Sequence, residues 1–239
     1  MPDESRGRTI AIGDIHGCAH ALETLLQAIA PTAADEIISL GDFVDVGRDT
    51  SQVIDQLIAL EQRCRLVTIM GNHEEMLLEA LSNESLVDSW LMCGGMATVN
   101  SYKFCGTIQD VPERHIEFIK SCVEFYETEE HLLVHANYEP DLPVEEFPPH
   151  TLRWSLLDDP QPRPHVSGKT VIVGHTEQRE GEILDLGCVK CIDTYCHGYG
   201  WLTALELTTG EVWQASRWGA LREGEGIEPL QQAKSVLRR

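Results

Sequence analysis

Three consecutive stretches between residues 9 and 82 decide the fold: TIAIGDIHGCAHALETLLQAIA (9–30), EIISLGDFVDVGRDTSQVIDQLIAL (36–60) and RLVTIMGNHEEMLLEALS (65–82). Each opens with a short apolar run of strand character, at Thr9–Ile12, Glu36–Leu40 and Arg65–Met70. Each then breaks in a polar turn containing glycine and resumes with helical spacing. In 19–30 the apolar residues Leu22, Leu25, Leu26 and Ile29 share one face, and Pro31 marks the stop. Three strand–turn–helix units in a row predict an α/β fold with a partly parallel sheet.

Downstream, residues 83–122 read as helical and irregular, broken at Gly94-Gly95, with Pro112 placed as a first-turn proline. They are expected to form a helical cap inserted into a single domain spanning 1–239. The chain then turns β-rich, with candidate strands at His131–His135, Thr170–Gly174, Gly181–Leu186, Cys188–Asp193, Trp201–Leu207 and Val212–Ala215. Turn signals such as Thr209-Gly210 predict antiparallel hairpins building a second sheet. The Pro-rich segment 139–164 reads as a long surface loop framing a site, and 223–239 as a polar peripheral tail.

The 239 residues can bury one sizeable core, and 42% hydrophobic with 24% charged residues is an ordinary globular composition. No apolar run reaches the ~20 residues of a membrane span, and the start, MPDESRGRTI, lacks the apolar core of a secretory signal. A cytoplasmic protein with no membrane partner is expected. The net charge of −21 repels nucleic acid, so that partner is excluded as well. Eight cysteines spread this thinly imply reduced thiols. Cys188, Cys191 and Cys196-His197 have a spacing that zinc could use, against the plainer reading of thiols in a β-hairpin region.

The chemistry sits where the strands end. Asp14 and His16 follow the first strand, Asp42 and Asp45 the second, Asn72 and His73 the third; two later strands end in His135 and His175. Open α/β sheets bind ligands beyond the carboxyl ends of their strands, so these five ends should converge. A set of carboxylate, imidazole and amide oxygen or nitrogen donors suits two divalent metal ions, manganese first, then iron or zinc. One carboxylate can bridge two cations set to clamp the oxygens of an in-line displacement. Bound cations would also reverse the field that an acidic chain presents to a phosphate. The remaining histidines, His20, His115, His131, His150, His165 and His197, read as surface or core residues, and Trp154 and Trp201 as packing residues or pocket walls.

GDIHG (13–17), GDFVDVG (41–47), GNHE (71–74), LLVHA (132–136), VGHT (173–176) and IDTYCHGYGWLTALEL (192–207) together resemble the calcineurin-like metallophosphoesterases. The likeness is to the phosphoprotein-phosphatase branch, which includes bacterial serine/threonine phosphatases and symmetrical diadenosine tetraphosphatases. The resemblance implies two mixed β-sheets packed as a sandwich with helices outside. It implies one metal on Asp14, His16 and Asp42, with Asp42 bridging to a second held by Asn72, His135 and His175. A hydroxide between the metals would attack phosphorus, His73 would protonate the leaving alkoxide, and Asp45 would orient His73.

Two positions depart from the family pattern. Val46 stands where GDxVDRG supplies an arginine, and Asn137 where His-Ala-Gly supplies glycine. The first change removes a phosphate-binding guanidinium, which Arg48 would replace; Arg153 resembles the family's other phosphate-binding arginine, and Asn72 is expected to meet the phosphate as well as a metal. The expected activity is hydrolysis of phosphomonoesters, of a phosphorylated protein or a small phosphorylated metabolite. The alternatives are a symmetrical dinucleoside tetraphosphate hydrolase and a weakly active metal-binding protein that has lost turnover. The sequence leaves the oligomeric state open.

Overall fold

The computed structural model describes residues 7–157 and 162–222, so the tail expected at 223–239 lies outside the described residues. The three repeated units appear as β1 (Thr9–Ile12), α1 (Ala19–Ile29), β2 (Glu36–Ser39), α2 (Thr50–Glu61), β3 (Arg65–Thr68) and α3 (Asn72–Ser82). Helix α1 ends where Ala30 turns left-handed and donates its N–H to Leu26 O, one residue before Pro31. Residues 83–122 contribute α4 (Val87–Trp90), α5 (Met96–Tyr102) and α6 (Glu113–Lys120). Gly94, at φ 116°, puts the expected break between α4 and α5, and Pro112 stands just ahead of α6.

The second half adds β4 (Phe125–Glu127), β5 (His131–Val134), α7 (Pro149–Arg153), β6 (Thr170–Val173), β7 (Leu184–Asp185), β8 (Val189–Cys191), β9 (Leu202–Glu206) and β10 (Val212–Ala215). One five-stranded sheet has the order β10-β9-β1-β2-β3 and the other β4-β5-β6-β8-β7. Strands β1, β2 and β3 run parallel, with Ile10 opposite Ile37 and Ile37 opposite Leu66. The expectation that the late strands pair as hairpins in a second sheet is corrected in two ways. The β9–β10 hairpin joins the first sheet beside β1, and the centre of the second sheet, β5-β6-β8, is parallel. A short apolar run marks a strand but not its partner, and the long connection between β5 and β6 allows a crossover.

Period-two alternation explains the layers. Ala11, Ile38 and Leu205 face Leu133 and Ile172 across the gap between the sheets. Ile10, Ile12 and Ile37 point the other way, into a core with Leu22, Leu25, Leu57 and Leu77 of the helices. The outer face of the second sheet, with Leu132, Val134, Val171 and Val173, is covered by Tyr138, Val144, Phe147 and Leu152. The described part of segment 139–164, residues 139–157 and 162–164, is therefore more than a surface loop: it contains α7 and a tight turn at Val144–Glu146, and it seals an apolar face that water would otherwise meet.

Candidate metal centre

The turns after β1 and β2 are stitched together, because Ile15 and His16 both donate their N–H to Asp42 O, at 3.0 and 2.8 Å. Across the sandwich, Gly174 N–H donates to His135 O at 2.7 Å. Two glycines are sterically required. A Cβ on Gly41, at φ 100°, would sit 2.9 Å from His135 Nδ1, and one on Gly174 would sit 2.1 Å from Asp14 Oδ1. His16, Asp42, Asp45 and His175 all adopt positive φ, between 43° and 65°. Such conformations cost energy in non-glycine residues and persist where the surroundings over-determine them.

The five strand ends do converge. Ligand atoms of Asp42, His135 and His175 lie within 4.8 Å of one another, as do those of His16, Asp42 and His73. Asp42 belongs to both groups and divides its oxygens between them: Oδ2 lies 3.6 Å from His16 Nε2, and Oδ1 lies 3.5 Å from His135 Nε2. Asn72 Oδ1 lies 3.1 Å from the same His135 nitrogen. Asp14 accepts from His175 N–H through Oδ2 at 3.0 Å, while its Oδ1 is buried without a partner.

These donors fit cations. Each of three imidazoles spends one nitrogen on a backbone carbonyl: His16 Nδ1 on Val44 O, His135 Nδ1 on Leu40 O and His175 Nε2 on Trp154 O. The other nitrogen then carries a bare lone pair, the arrangement found around metal-ligating histidines. Burial lowers His16 to about 3 and His135 to about 4, so both are neutral near pH 7. His135 Nε2 and Asn72 Oδ1 are thus two acceptors facing each other, which a cation between them reconciles. Burial, with Asp193 and Asp42 nearby, holds Asp14 well above the usual carboxylate range, the mark of crowded negative charge without compensation.

His73 lies beside this centre, its Nδ1 donating to Asp45 Oδ2 at 3.0 Å. Asp45 is fully buried and also accepts from Trp90 Nε1 at 2.9 Å and Thr98 Oγ1 at 2.7 Å. Burial works against charge on His73, but Asp42 and Asp45 outweigh it and raise the imidazole to about 9.

The arginines are placed differently. Arg48 is exposed and makes no salt bridge among the described residues. Arg153 is only 12% exposed and its guanidinium is engaged by Glu75 and Glu124. Val46, 40% exposed, is a β-branched residue at φ 64°, with its N–H donating to Gly94 O at 3.2 Å.

Several residues of the site carry no obvious signal in the chain. Trp90 and Thr98 come from the helical insertion, too far along to be tied to Asp45 by spacing. Glu74, within GNHE, accepts from the N–H groups of Asp42, Phe43, Val44 and Gly71 at 2.8 to 3.1 Å and so holds the Asp42 turn. His197, read from the sequence as an ordinary surface or core residue, packs edge-on against His16 with ring centres 4.8 Å apart. The cysteine cluster separates: Cys191 Sγ lies 3.3 Å from both Gly174 O and Thr176 O, whereas Cys196 sits in the helix-side core.

Residues 7–200 match the sequence profile described as calcineurin-like phosphoesterase. A symmetrical bis(5'-nucleosyl)-tetraphosphatase of Burkholderia pseudomallei (strain 668) is 27% identical over 142 residues, 59% of this chain and 45% of that protein. Serine/threonine-protein phosphatase 1 of Salmonella typhimurium is 36% identical over 86 residues, 35% of this chain and 37% of that protein. The matched regions thus span less than half of either relative. A crystal structure provisionally assigned as a diadenosine tetraphosphatase superposes with a TM-score of 0.68 at 21% identity, covering 92% of this chain and 97% of that one.

Proposed function

The chain belongs to the calcineurin-like phosphoesterase family, and from that premise we propose that it is a divalent-metal-dependent hydrolase of phosphomonoesters, of the phosphoserine and phosphothreonine kind. The observation that carries this reading is the division of the Asp42 carboxylate between His16 and His135, with a carboxylate–imidazole pair beside it. Asp14, His16 and Asp42 would hold one cation, and Asp42, Asn72, His135 and His175 the second. Two divalent cations there would supply Lewis acidity, neutralising phosphoryl charge and acidifying water.

The other parts of the reaction fall to the chain's own groups. His73 keeps its Nδ1 proton on Asp45 and presents Nε2 to the leaving oxygen, which it protonates as the ester bond breaks. Trp90 and Thr98 keep the Asp45 carboxylate facing Nδ1, which fixes the ring. Arg48 is free to grip a phosphoryl oxygen. Arg153 would join it by exchanging Glu75 and Glu124 for the substrate, a trade that a dianionic phosphoryl group favours.

A second reading, hydrolysis of a symmetrical dinucleoside tetraphosphate, draws on the name of the Burkholderia relative. Parallel assays of the manganese-loaded protein on phosphopeptides, a chromogenic phosphomonoester and diadenosine tetraphosphate test both. Hydrolysis of the monoesters that a chelator abolishes supports the first; turnover confined to the dinucleotide selects the second. Equal turnover in excess chelator refutes the metal-dependent reading.

A further inference from the structure

His197 occupies a place in the centre that no part of the reaction above uses. Three imidazoles stand in a row, His73, His16 and His197, each neighbouring pair edge-on with ring centres 4.8 Å apart. The outer two are each paired with a carboxylate: His73 with Asp45, and His197 Nε2 with Glu177 Oε1 at 3.3 Å. Glu177 follows His175 by two residues, so this second pair flanks the centre on the side of both His16 and His175.

The His197 ring is firmly held. Tyr195 packs against it at 4.8 Å between ring centres, and Arg217 donates to its backbone carbonyl at 2.7 Å. Glu177 is itself anchored through Oε2 by Arg179 Nε and the Arg179 terminal nitrogen, at 3.0 and 2.9 Å, and Arg179 lies over the Tyr195 ring. Yet the imidazole is poorly satisfied. Its Nδ1 is buried without a partner, and its Nε2 contact to Glu177 is long. Leaving a buried polar atom unpaired is costly, and an apolar ring would pack against His16 and Tyr195 without that cost. An imidazole is explained here if one of its N–H groups is used by something that arrives.

The arriving group must be an anion under the phosphoesterase reading, on which this inference rests. The donors already assigned to it are few: Val46 offers no guanidinium, Arg153 must first give up two carboxylates, and Arg48 alone of the assigned arginines is unengaged among the described residues. We propose that His197 is a substrate-contacting residue, donating a hydrogen bond from Nε2 to a non-bridging phosphoryl oxygen in exchange for its long contact with Glu177. Tyr195 against the ring and Arg217 on the backbone carbonyl keep the ring in place when Nε2 leaves Glu177. One flank of His16 thus serves the leaving group through His73, and the other serves the phosphoryl group through His197.

The experiment compares the manganese-loaded full chain with His197→Phe and His197→Gln. Inorganic phosphate is the competitive inhibitor and a chromogenic phosphomonoester the substrate; bound metal and the melting temperature are measured on each protein. Phe keeps the packing and removes both nitrogens, so the phosphate inhibition constant and KM should rise together by about tenfold, with kcat within about threefold and metal content unchanged. Gln, which keeps a donor, should recover most of the loss. An unchanged phosphate constant in His197→Phe overturns the proposal, and so does a loss of metal, which would make His197 a prop for His16. Should the Phe variant not fold, His197→Leu carries the same comparison. A wild-type protein that neither turns over the monoester nor binds phosphate refutes the phosphomonoester reading itself.

Discussion

Asp45→Asn keeps the size of a fully buried side chain and removes its charge. Three groups donate to that carboxylate: His73 Nδ1, Trp90 Nε1 and Thr98 Oγ1. Asp42 and Asp45 together hold His73 near 9 against the opposing effect of burial. At pH 8 an imidazole with that value is roughly nine-tenths protonated, and one returned to the ordinary ~6.5 is about 3% protonated, a fall in the acid form on the order of thirtyfold. Asp42 remains in the variant, and cations held on Asp42 weaken its pull on His73 in both proteins, so thirtyfold is the upper bound. The sign follows from the raised value: the acid form is complete at low pH and is lost as pH rises through the folded pKa. The alkaline limb of kcat/KM should therefore move to lower pH. The assay is a pH profile on two phosphomonoesters, one with an alkyl and one with a nitrophenyl leaving group. At pH 8 the alkyl ester should lose about ten- to thirtyfold and the nitrophenyl ester only a few-fold, both losses shrinking by pH 6. An alkaline limb that does not move, or an equal loss on both esters at every pH, would refute the assignment of His73 as the acid positioned by Asp45.

Glu74→Leu strips the acceptor from four backbone N–H groups around the Asp42 turn, and the folded protein should lose about 3 kcal/mol or more, read as a melting temperature lowered by roughly 6–12 °C. Gly174→Ala drives a Cβ against Asp14 Oδ1 and should weaken metal binding by at least about tenfold in a manganese titration while leaving the far-UV circular dichroism unchanged. Arg48→Ala should lower kcat/KM on phosphomonoesters by roughly ten- to a hundredfold, and Val46→Arg in the same background should restore much of it; wild-type behaviour of Arg48→Ala on every ester would make Arg48 a surface residue.

The sheet that bears most of the site was legible because β1, β2 and β3 each announce themselves by a β-branched run and stop at a glycine turn. Convergence of Asp14, His16, Asp42, Asn72, His135 and His175 followed from one topological rule about strand ends. What the chain concealed was partnership across distance. Strands β5 and β6 are near-continuous apolar runs, HLLV and TVIV, the pattern of parallel strands buried on both faces, but turn signals around the later strands point to hairpins instead. Val144, Phe147 and Leu152 look like loop residues because, in the connection between β5 and β6, they are spaced among prolines and acidic residues with neither helical nor strand periodicity. Trp90 and Thr98 reach Asp45 from about 50 residues away, and nothing in their immediate neighbourhood distinguishes a Trp or Thr that supports a carboxylate from one that packs. His197 carries no signal for the same reason: only the folded chain puts it against His16.

The central assignment is a pair of cation sites sharing Asp42, and counting bound metal tests it most directly. Wild-type protein and Asp42→Asn, both shown to be folded by circular dichroism, are equilibrated with manganese and the bound ions counted by elemental analysis. The wild type should hold two ions per chain, and the variant, with the shared carboxylate neutralised, should hold none tightly and lose turnover with them. An Asp42→Asn protein that still binds two ions and hydrolyses phosphomonoesters at the wild-type rate would contradict the dinuclear site.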